Sequence, residues 1–143
     1  MAQGMRSSPY SREILRLAAS VPDLPPMETP DAVVELRSES CGSRLRLELV
    51  REGDRVGKVR SEVSACAYGQ AATVLMMDGA IGKSRGDIEH SLVVIEDWLR
   101  GADAVLPDWP GLDVLAPARE RPGRHGAVLL PFRALVRAME AVR

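Results

Sequence analysis

The stretch SRLRLELVREGDRVGKVRSEVSACAYGQ, residues 43–70, decides the fold because its hydrophobic period changes along its length. Leucines alternate with charged residues over 43–51, which predicts an antiparallel strand with one buried and one solvated face. A tight turn leads into a further strand at 55–65, whose valines break strict alternation, so we expect a bulge near Gly57. After Cys66 the period lengthens towards 3.6, which predicts a helix of small residues.

The segments on either side of this stretch complete the predicted architecture. Hydrophobic patterns predict helices at 11–20, 67–83, 84–101 and 127–142 and a strand at 32–40. Ser84 and Asp87 form a capping-box pattern. Residues 21–30 contain four prolines, which predicts a rigid linker that wraps a surface. The order predicts an α+β fold, a three-stranded antiparallel sheet packed by a helical layer, with an N-terminal helix and a long C-terminal helix.

Composition bounds the class of protein. With 143 residues, of which 45% are hydrophobic, the chain is long enough for a single domain over 1–143, in which we expect 1–9 to form a tail. The 19 basic and 20 acidic residues nearly balance, which argues against nucleic acid or an anionic membrane as a partner. No apolar run resembles a signal peptide or reaches the roughly 18 residues of a membrane span, so we expect a cytoplasmic protein.

The chain has two cysteines, and both lie at the ends of predicted elements. Cys41 follows a strand and precedes Gly42, where the backbone can approach a ligand closely. Cys66 lies where a strand gives way to a helix, and a helix N-terminus offers free N–H groups and a partial positive charge. Two thiols in a cytosolic chain indicate metal or sulfur chemistry before a structural disulfide, although many cysteines are plain buried hydrophobes.

His125 is the third candidate ligand. Pro131 is compatible with the last helix only in its first turn, which predicts that this helix begins near residues 125–128. If the loop and helix ends converge, Cys41, Cys66 and His125 form a soft metal site of two sulfurs and one nitrogen, whereas the alternative for His125 is a solvated loop residue. We expect His90, the other histidine, to face solvent. No paired carboxylates or nucleophilic triad indicate an enzyme, so we predict none.

Three segments together resemble a known family. SESCGSRLRLELV (38–50) resembles a Cys-Gly-Asp turn that leads into an alternating strand. SEVSACAYGQAATVLMMDGAIGKS (61–84) resembles the segment that carries the second cysteine and its small-residue helix. PGRHGAVLLPFRAL (122–135) resembles the segment with the third cysteine. From Tyr10 to about Ala141 the chain is similar to NifU-like N-terminal domains and the IscU–SufU iron–sulfur cluster assembly scaffolds, which implies a SufE/NifU-like fold.

The resemblance implies a cluster scaffold with part of the family's ligand set. Cys41 and Cys66 match the first two cysteines. Ser43 stands in place of the family's aspartate, and Gly126, preceded by His125, stands in place of the third cysteine. The implied cargo is an iron–sulfur cluster, iron or zinc. The implied partners are a cysteine desulfurase and recipient apo-proteins.

The two departures leave other functions open. A degenerate scaffold homologue would bind no metal and act as an interaction or regulatory protein. A zinc-dependent sulfur acceptor would take a persulfide from a cysteine desulfurase on Cys66 or Cys41. The scaffold hypothesis and both alternatives share one fold and differ in what the two thiols do.

Overall fold

The structure is a computed structural model that describes residues 10–39 and 42–141. The predicted tail 1–9 and Cys41 lie outside the described residues. In chain order the elements are α1 (Arg12–Ala18), β1 (Ala32–Arg37), β2 (Arg44–Glu52), β3 (Arg55–Ser64), α2 (Ala67–Ala80), α3 (Arg85–Leu99), two 3₁₀ segments (Leu112–Glu120 and Pro122–Arg124) and α4 (His125–Ala141). The predicted α+β fold, with three antiparallel strands, an N-terminal helix and a long C-terminal helix, is confirmed.

β2 is the central strand of the sheet and pairs antiparallel with β1 and β3. Its pairing with β3 shifts at one point, since Val50 lies opposite Lys58 whereas Arg51 lies opposite Val56. Gly57 therefore has no partner on β2 and forms the bulge that the sequence predicts. This extra residue explains why the valines of β3 do not alternate strictly.

The inner face of the sheet packs against the helices. Leu45, Leu47 and Leu49 are at most 2% exposed, as their alternation predicts. α4 lies against β1 and β2, and α2 packs against β3, α1 and α4. Burial of each leucine contributes about 2 kcal/mol relative to exposure, so this face anchors the helical layer.

The outer face of the sheet differs from the prediction. The alternation predicts a solvated face, but Glu48 is only 1% exposed. The proline-rich linker (residues 21–30) covers it, and the Met27 N–H donates a hydrogen bond to Glu48 Oε1 at 2.9 Å. Arg60 lies opposite Glu48, donates to the same oxygen at 3.3 Å and also donates to the Leu24 carbonyl at 2.8 Å. The Met27 N–H, aided by Arg60, holds the pKa of Glu48 below its usual range despite burial.

α4 begins at His125, as predicted. The argument for that start, which required Pro131 to lie in the first turn, is wrong. Pro131 is the seventh residue of α4 and lies beyond its first turn. A proline at this position leaves the Ala127 carbonyl without its intrahelical N–H donor. Pro131 is itself buried against the rest of the protein. Tertiary packing therefore outweighs the local cost of a proline inside the helix.

Two tryptophans close the helical layer. Trp98 and Trp109 are 7% and 2% exposed. The Trp109 indole N–H donates to the Leu75 carbonyl of α2 at 2.7 Å. Gly79 makes room for this ring, because a Cβ at Gly79 would overlap the indole. Within the described ranges, no helix combines the length and the apolar character that crossing a bilayer requires.

Candidate functional site

The candidate site lies where α2 and α4 begin. Cys66 is the N-cap of α2, and His125 is the first residue of α4. The first turns of the two helices touch, since a Cβ built on Gly69 would lie 3.3 Å from the Cβ of Ala127. This close contact brings the two helix starts, and with them a thiol and an imidazole, to the same region of the molecule.

Cys66 occupies a position that usually carries a capping side chain. Its backbone is extended (φ −67°, ψ 173°), as expected for an N-cap, but its side chain makes no capping hydrogen bond. The thiol is partly exposed and packs at the edge of the core. Serine, threonine, aspartate or asparagine at this position would accept a hydrogen bond from the helix. The thiol is therefore placed at the helix start without being used to cap it.

His125 has a defined orientation. Its Nε2 lies 2.8 Å from the carbonyl oxygen of Ala118. A carbonyl only accepts hydrogen bonds, so Nε2 carries the hydrogen, and in the neutral ring Nδ1 keeps its lone pair. Metal-binding histidines commonly donate their other ring N–H to a carbonyl in this way. The hydrogen bond therefore presents Nδ1 as the ring atom able to bind a metal.

The sheet contributes a third chain segment to the same region. Arg44, the first residue of β2, lies opposite Ser64, the last residue of β3. Gly42 precedes that pair by two residues, and Cys66 follows it by two. Gly42 and Cys66 therefore leave the sheet at the same end.

The turn between β1 and β2 is closed by backbone hydrogen bonds. The Ser38 N–H donates to the Ser43 carbonyl at 2.8 Å, and the Gly42 N–H donates to the Ser38 carbonyl at 3.0 Å. Gly42 has a φ of 73°, the left-handed conformation that glycine adopts readily. Ser43, the next residue, is 3% exposed. Cys41 belongs to this turn in sequence, and its role as a ligand stays a prediction.

Tyr68, Arg121 and Arg124 lie beside the two helix starts and have no role among the sequence predictions. Tyr68, in the first turn of α2, is completely buried, and its ring centre lies 5.0 Å from that of Tyr10. Burial raises the pKa of Tyr68, while Arg121 and Arg124, just before α4, act in the opposite direction. These side chains come from distant parts of the chain, so no local pattern indicates that they meet. Arg121 and Arg124 therefore bring positive charge to Tyr68 in the first turn of α2.

The remaining sequence predictions concern the ligands as a set. His90 is exposed on α3, as expected. In the part of the chain that the structure describes, no three His, Cys, Asp or Glu side chains are grouped to hold a metal ion. Cys41 is not in that part, so the set of Cys41, Cys66 and His125 is not tested by this finding. Cys66 and His125 lie at adjoining helix starts, and the third ligand stays a prediction.

An antiparallel sheet covered by helices on one face places this protein in the α+β class. Comparison with solved structures identifies which α+β proteins it resembles. No family model and no curated protein sequence matches the chain. The N-terminal part of a nitrogen-fixing NifU-like protein from Brucella abortus superposes with a TM-score of 0.84 and 25% sequence identity, covering 92% of each chain. A protein assigned as an iron–sulfur cluster assembly scaffold of the SUF system from Fervidobacterium islandicum AW-1 gives 0.78 and 24%, covering 92% of this chain and 96% of its own.

A third structure, of a hypothetical protein, shares the fold with a TM-score of 0.68 and 20% identity, over 90% of this chain and 97% of its own. The resemblance to NifU-like and SufU proteins that the sequence predicts is therefore confirmed. The likeness to these two structures extends over 92% of the chain, which is nearly the whole of its described part.

Proposed function

We propose that this protein is an iron–sulfur cluster assembly scaffold that holds its cargo with Cys41, Cys66 and His125. The observation that carries the proposal is the likeness, over 92% of the chain, to a NifU-like domain and a SUF scaffold. The adjoining starts of α2 and α4 support it. The Cys66 thiol makes no capping hydrogen bond, and because Nε2 of His125 binds the Ala118 carbonyl, Nδ1 is the ring nitrogen left to bind a metal. The proposal takes residues 1–143 as one scaffold domain that works in the cytoplasm.

The chemistry of the donor set is compatible with zinc and with an iron–sulfur cluster. Two thiolates and a neutral imidazole form a Cys₂His set, which is known for zinc with a fourth position left open. Mixed cysteine and histidine ligation also occurs at iron–sulfur clusters. Ser43 and Gly126 replace two stronger ligands, so we expect fewer protein bonds to the cargo than in a four-ligand scaffold.

Sulfur would reach the site as persulfide from a cysteine desulfurase. The thiolate of Cys66 or Cys41 attacks the terminal sulfur of the desulfurase persulfide. A new S–S bond forms on the scaffold, and the desulfurase cysteine leaves as a thiolate. The protein carries sulfur and metal to recipient apo-proteins and needs no catalytic machinery of its own.

The first experiment is elemental analysis of untagged protein, with variants of each proposed ligand. Cys41→Ala, Cys66→Ala and His125→Ala should each lower the iron or zinc content severalfold, because a three-ligand site loses a third of its donors. His90→Ala is the matched control, since it removes the other histidine from an exposed position on α3. Unchanged metal content in all three ligand variants, or an equal loss in His90→Ala, would contradict the proposal.

The second experiment separates the scaffold from a zinc-dependent sulfur acceptor. Anaerobic reconstitution with iron and sulfide should give a visible chromophore if a cluster is the cargo. Bound zinc without a chromophore, together with cysteine-dependent stimulation of a desulfurase, would favour the sulfur acceptor. The double variant Ser43→Asp, Gly126→Cys should increase the amount of cluster retained. Absence of metal, chromophore and stimulation would instead indicate a degenerate interaction protein.

A further inference from the structure

The outer face of the sheet has an open groove of about 550 Å³. The groove lies at the end of the sheet where β1 ends, β2 begins and β3 ends. The groove crosses all three strands, and two rows of outward side chains form its walls. Each row takes one residue from β1, β2 and β3 in that order. The first, which we call the arginine row, consists of Arg37, Arg44 and Ser64. The second, the mixed row, consists of Glu35, Arg46 and Glu62. At the opposite end of the same face, the linker covers Glu48, whereas no residue in the ranges 10–39 and 42–141 fills the groove.

The charges of the two rows are unevenly satisfied. In the mixed row, Arg46 donates to Glu35 at 2.9 Å, and Glu62 accepts from Arg60 at 2.8 Å. Arg37 and Arg44 make no ion pair with any residue in the described ranges 10–39 and 42–141. They are nevertheless directly opposite each other in register. Like charges in that position destabilise a sheet, so an external anion between them would relieve the repulsion.

We propose that the groove binds an acidic, extended segment of a partner protein, with a carboxylate held between Arg37 and Arg44. Guanidinium groups bind carboxylates through paired hydrogen bonds. Three strands about 4.8 Å apart make a groove about 10 Å long, which fits about three residues of an extended chain.

The mixed row argues for a peptide rather than a free polyanion. Its carboxylates, Glu35 and Glu62, stand about 7 Å from the arginine row, two residues away along the strands. A multiply charged free anion would meet these carboxylates as well as the arginines. An extended chain presents alternate side chains to opposite sides, so it can direct acidic groups to the arginine row alone. None of the groove residues is a proposed metal ligand, so the groove and the metal site can be tested separately.

The test uses a defined probe, the acetylated and amidated peptide Gly-Glu-Ser-Glu-Gly, added to isotope-labelled full-length protein at low salt. We expect chemical-shift changes at the backbone amides of Arg37, Arg44 and Ser64, and none with the glutamine analogue of the peptide. Arg37→Gln and Arg44→Gln should each weaken binding about tenfold, the equivalent of one charge-assisted hydrogen bond. Both positions are exposed, so folding should be retained, which circular dichroism checks.

Arg137→Gln is the matched control, because Arg137 is an exposed arginine of α4 far from the groove in sequence. It should leave the affinity unchanged. Equal weakening by this control, or shifts confined to other surfaces, would overturn the proposal. Inorganic phosphate that binds at the groove as tightly as the peptide would also overturn it, since the site would then recognise a free anion.

Discussion

The four α-helices in the described part of the chain begin in two different ways. Ser11 caps α1 by accepting a hydrogen bond from the Ile14 N–H at 3.1 Å. Ser84 caps α3 by accepting from the Asp87 N–H at 3.2 Å, and Asp87 accepts in return from the Ser84 N–H at 3.1 Å. The N-cap of α2 is instead Cys66, whose side chain makes no capping hydrogen bond. α4 follows a 3₁₀ segment directly and begins with a histidine.

The difference separates the two helix starts that serine side chains cap from the two that carry the proposed ligands Cys66 and His125. A serine cap is worth about 1 kcal/mol to a helix. α2 carries a thiol at its N-cap, where a capping residue would be more stabilising, and α4 begins with an imidazole directly after a 3₁₀ segment. Local rules of stability are typically broken at functional sites, so the missing side-chain cap of α2 agrees with the site proposed at Cys66.

The largest effect is expected at Gly69, where the first turns of α2 and α4 touch. Gly69→Ala should lower the free energy of unfolding by about 1–3 kcal/mol, because of overpacking. The added Cβ would lie 2.7 Å from Ala65 Cβ and 3.3 Å from Ala127 Cβ. Gly86→Ala, in the first turn of α3, is the matched control, since its Cβ would meet only Ser84 Oγ at 4.0 Å. It should raise stability by about 0.5 kcal/mol, because alanine is the better helix former. Urea denaturation measures both, and effects of the same sign would contradict the tight packing of Gly69 against Ala65 and Ala127.

The next effect concerns a capped start. Ser84→Ala should lower the free energy of unfolding by about 1 kcal/mol, because the Asp87 N–H loses its acceptor. Metal content should stay as in the wild type, since α3 lies outside the proposed site. A loss of metal comparable to that in Cys66→Ala would remove the distinction between the two kinds of helix start.

Cys66→Ser converts an uncapped start into a capped one. The serine hydroxyl can accept a hydrogen bond from the first turn of α2, so stability should rise by about 0.5 kcal/mol. Metal binding should fall, because a hydroxyl is a poor substitute for a thiolate ligand. The measurements are urea denaturation and elemental analysis of the same preparation. Destabilisation with unchanged metal content would show that Cys66 is a packing residue.

The smallest effect is a pH dependence at the start of α3. Hydrogen bonds from Ser84, first from its backbone N–H, hold the pKa of Asp87 below its ordinary value of 3.8. A carboxylate with a lowered pKa stabilises the fold above its ordinary value, and that contribution is lost as the pH falls through the folded-state pKa. The stability difference between wild type and Asp87→Asn should therefore be constant above pH 3.8 and shrink below it. Asp78→Asn, on the exposed side of α2, is the control. A difference that grows towards low pH would contradict the capping box.

Features that depend on a few consecutive residues could be predicted from the sequence. The capping box at Ser84 and the bulge at Gly57 are both confirmed, because each follows from residue types at short, fixed spacings. The alternation of β2 also identified its buried face, since a period of two assigns side chains to faces without reference to the rest of the chain.

Features that depend on distant contacts could not be predicted. Alternation assigns Glu48 to the outer face, but only the folded linker determines that Met27 covers it. The same holds at the candidate site. The sequence predicts Cys66 and His125 at helix starts, whereas their proximity depends on the contact of Gly69 with α4, and Cys41 stays a prediction.

The linker has a consequence for how the N-terminal part of the chain opens. Met27 lies outside regular secondary structure, in a segment where backbone amides ordinarily exchange with solvent quickly. Its N–H is bound to a buried carboxylate, so releasing it leaves Glu48 charged and under-solvated. The amide hydrogen of Met27 should therefore exchange as slowly as those of the central strand, and the linker (residues 21–30) should unfold together with the sheet.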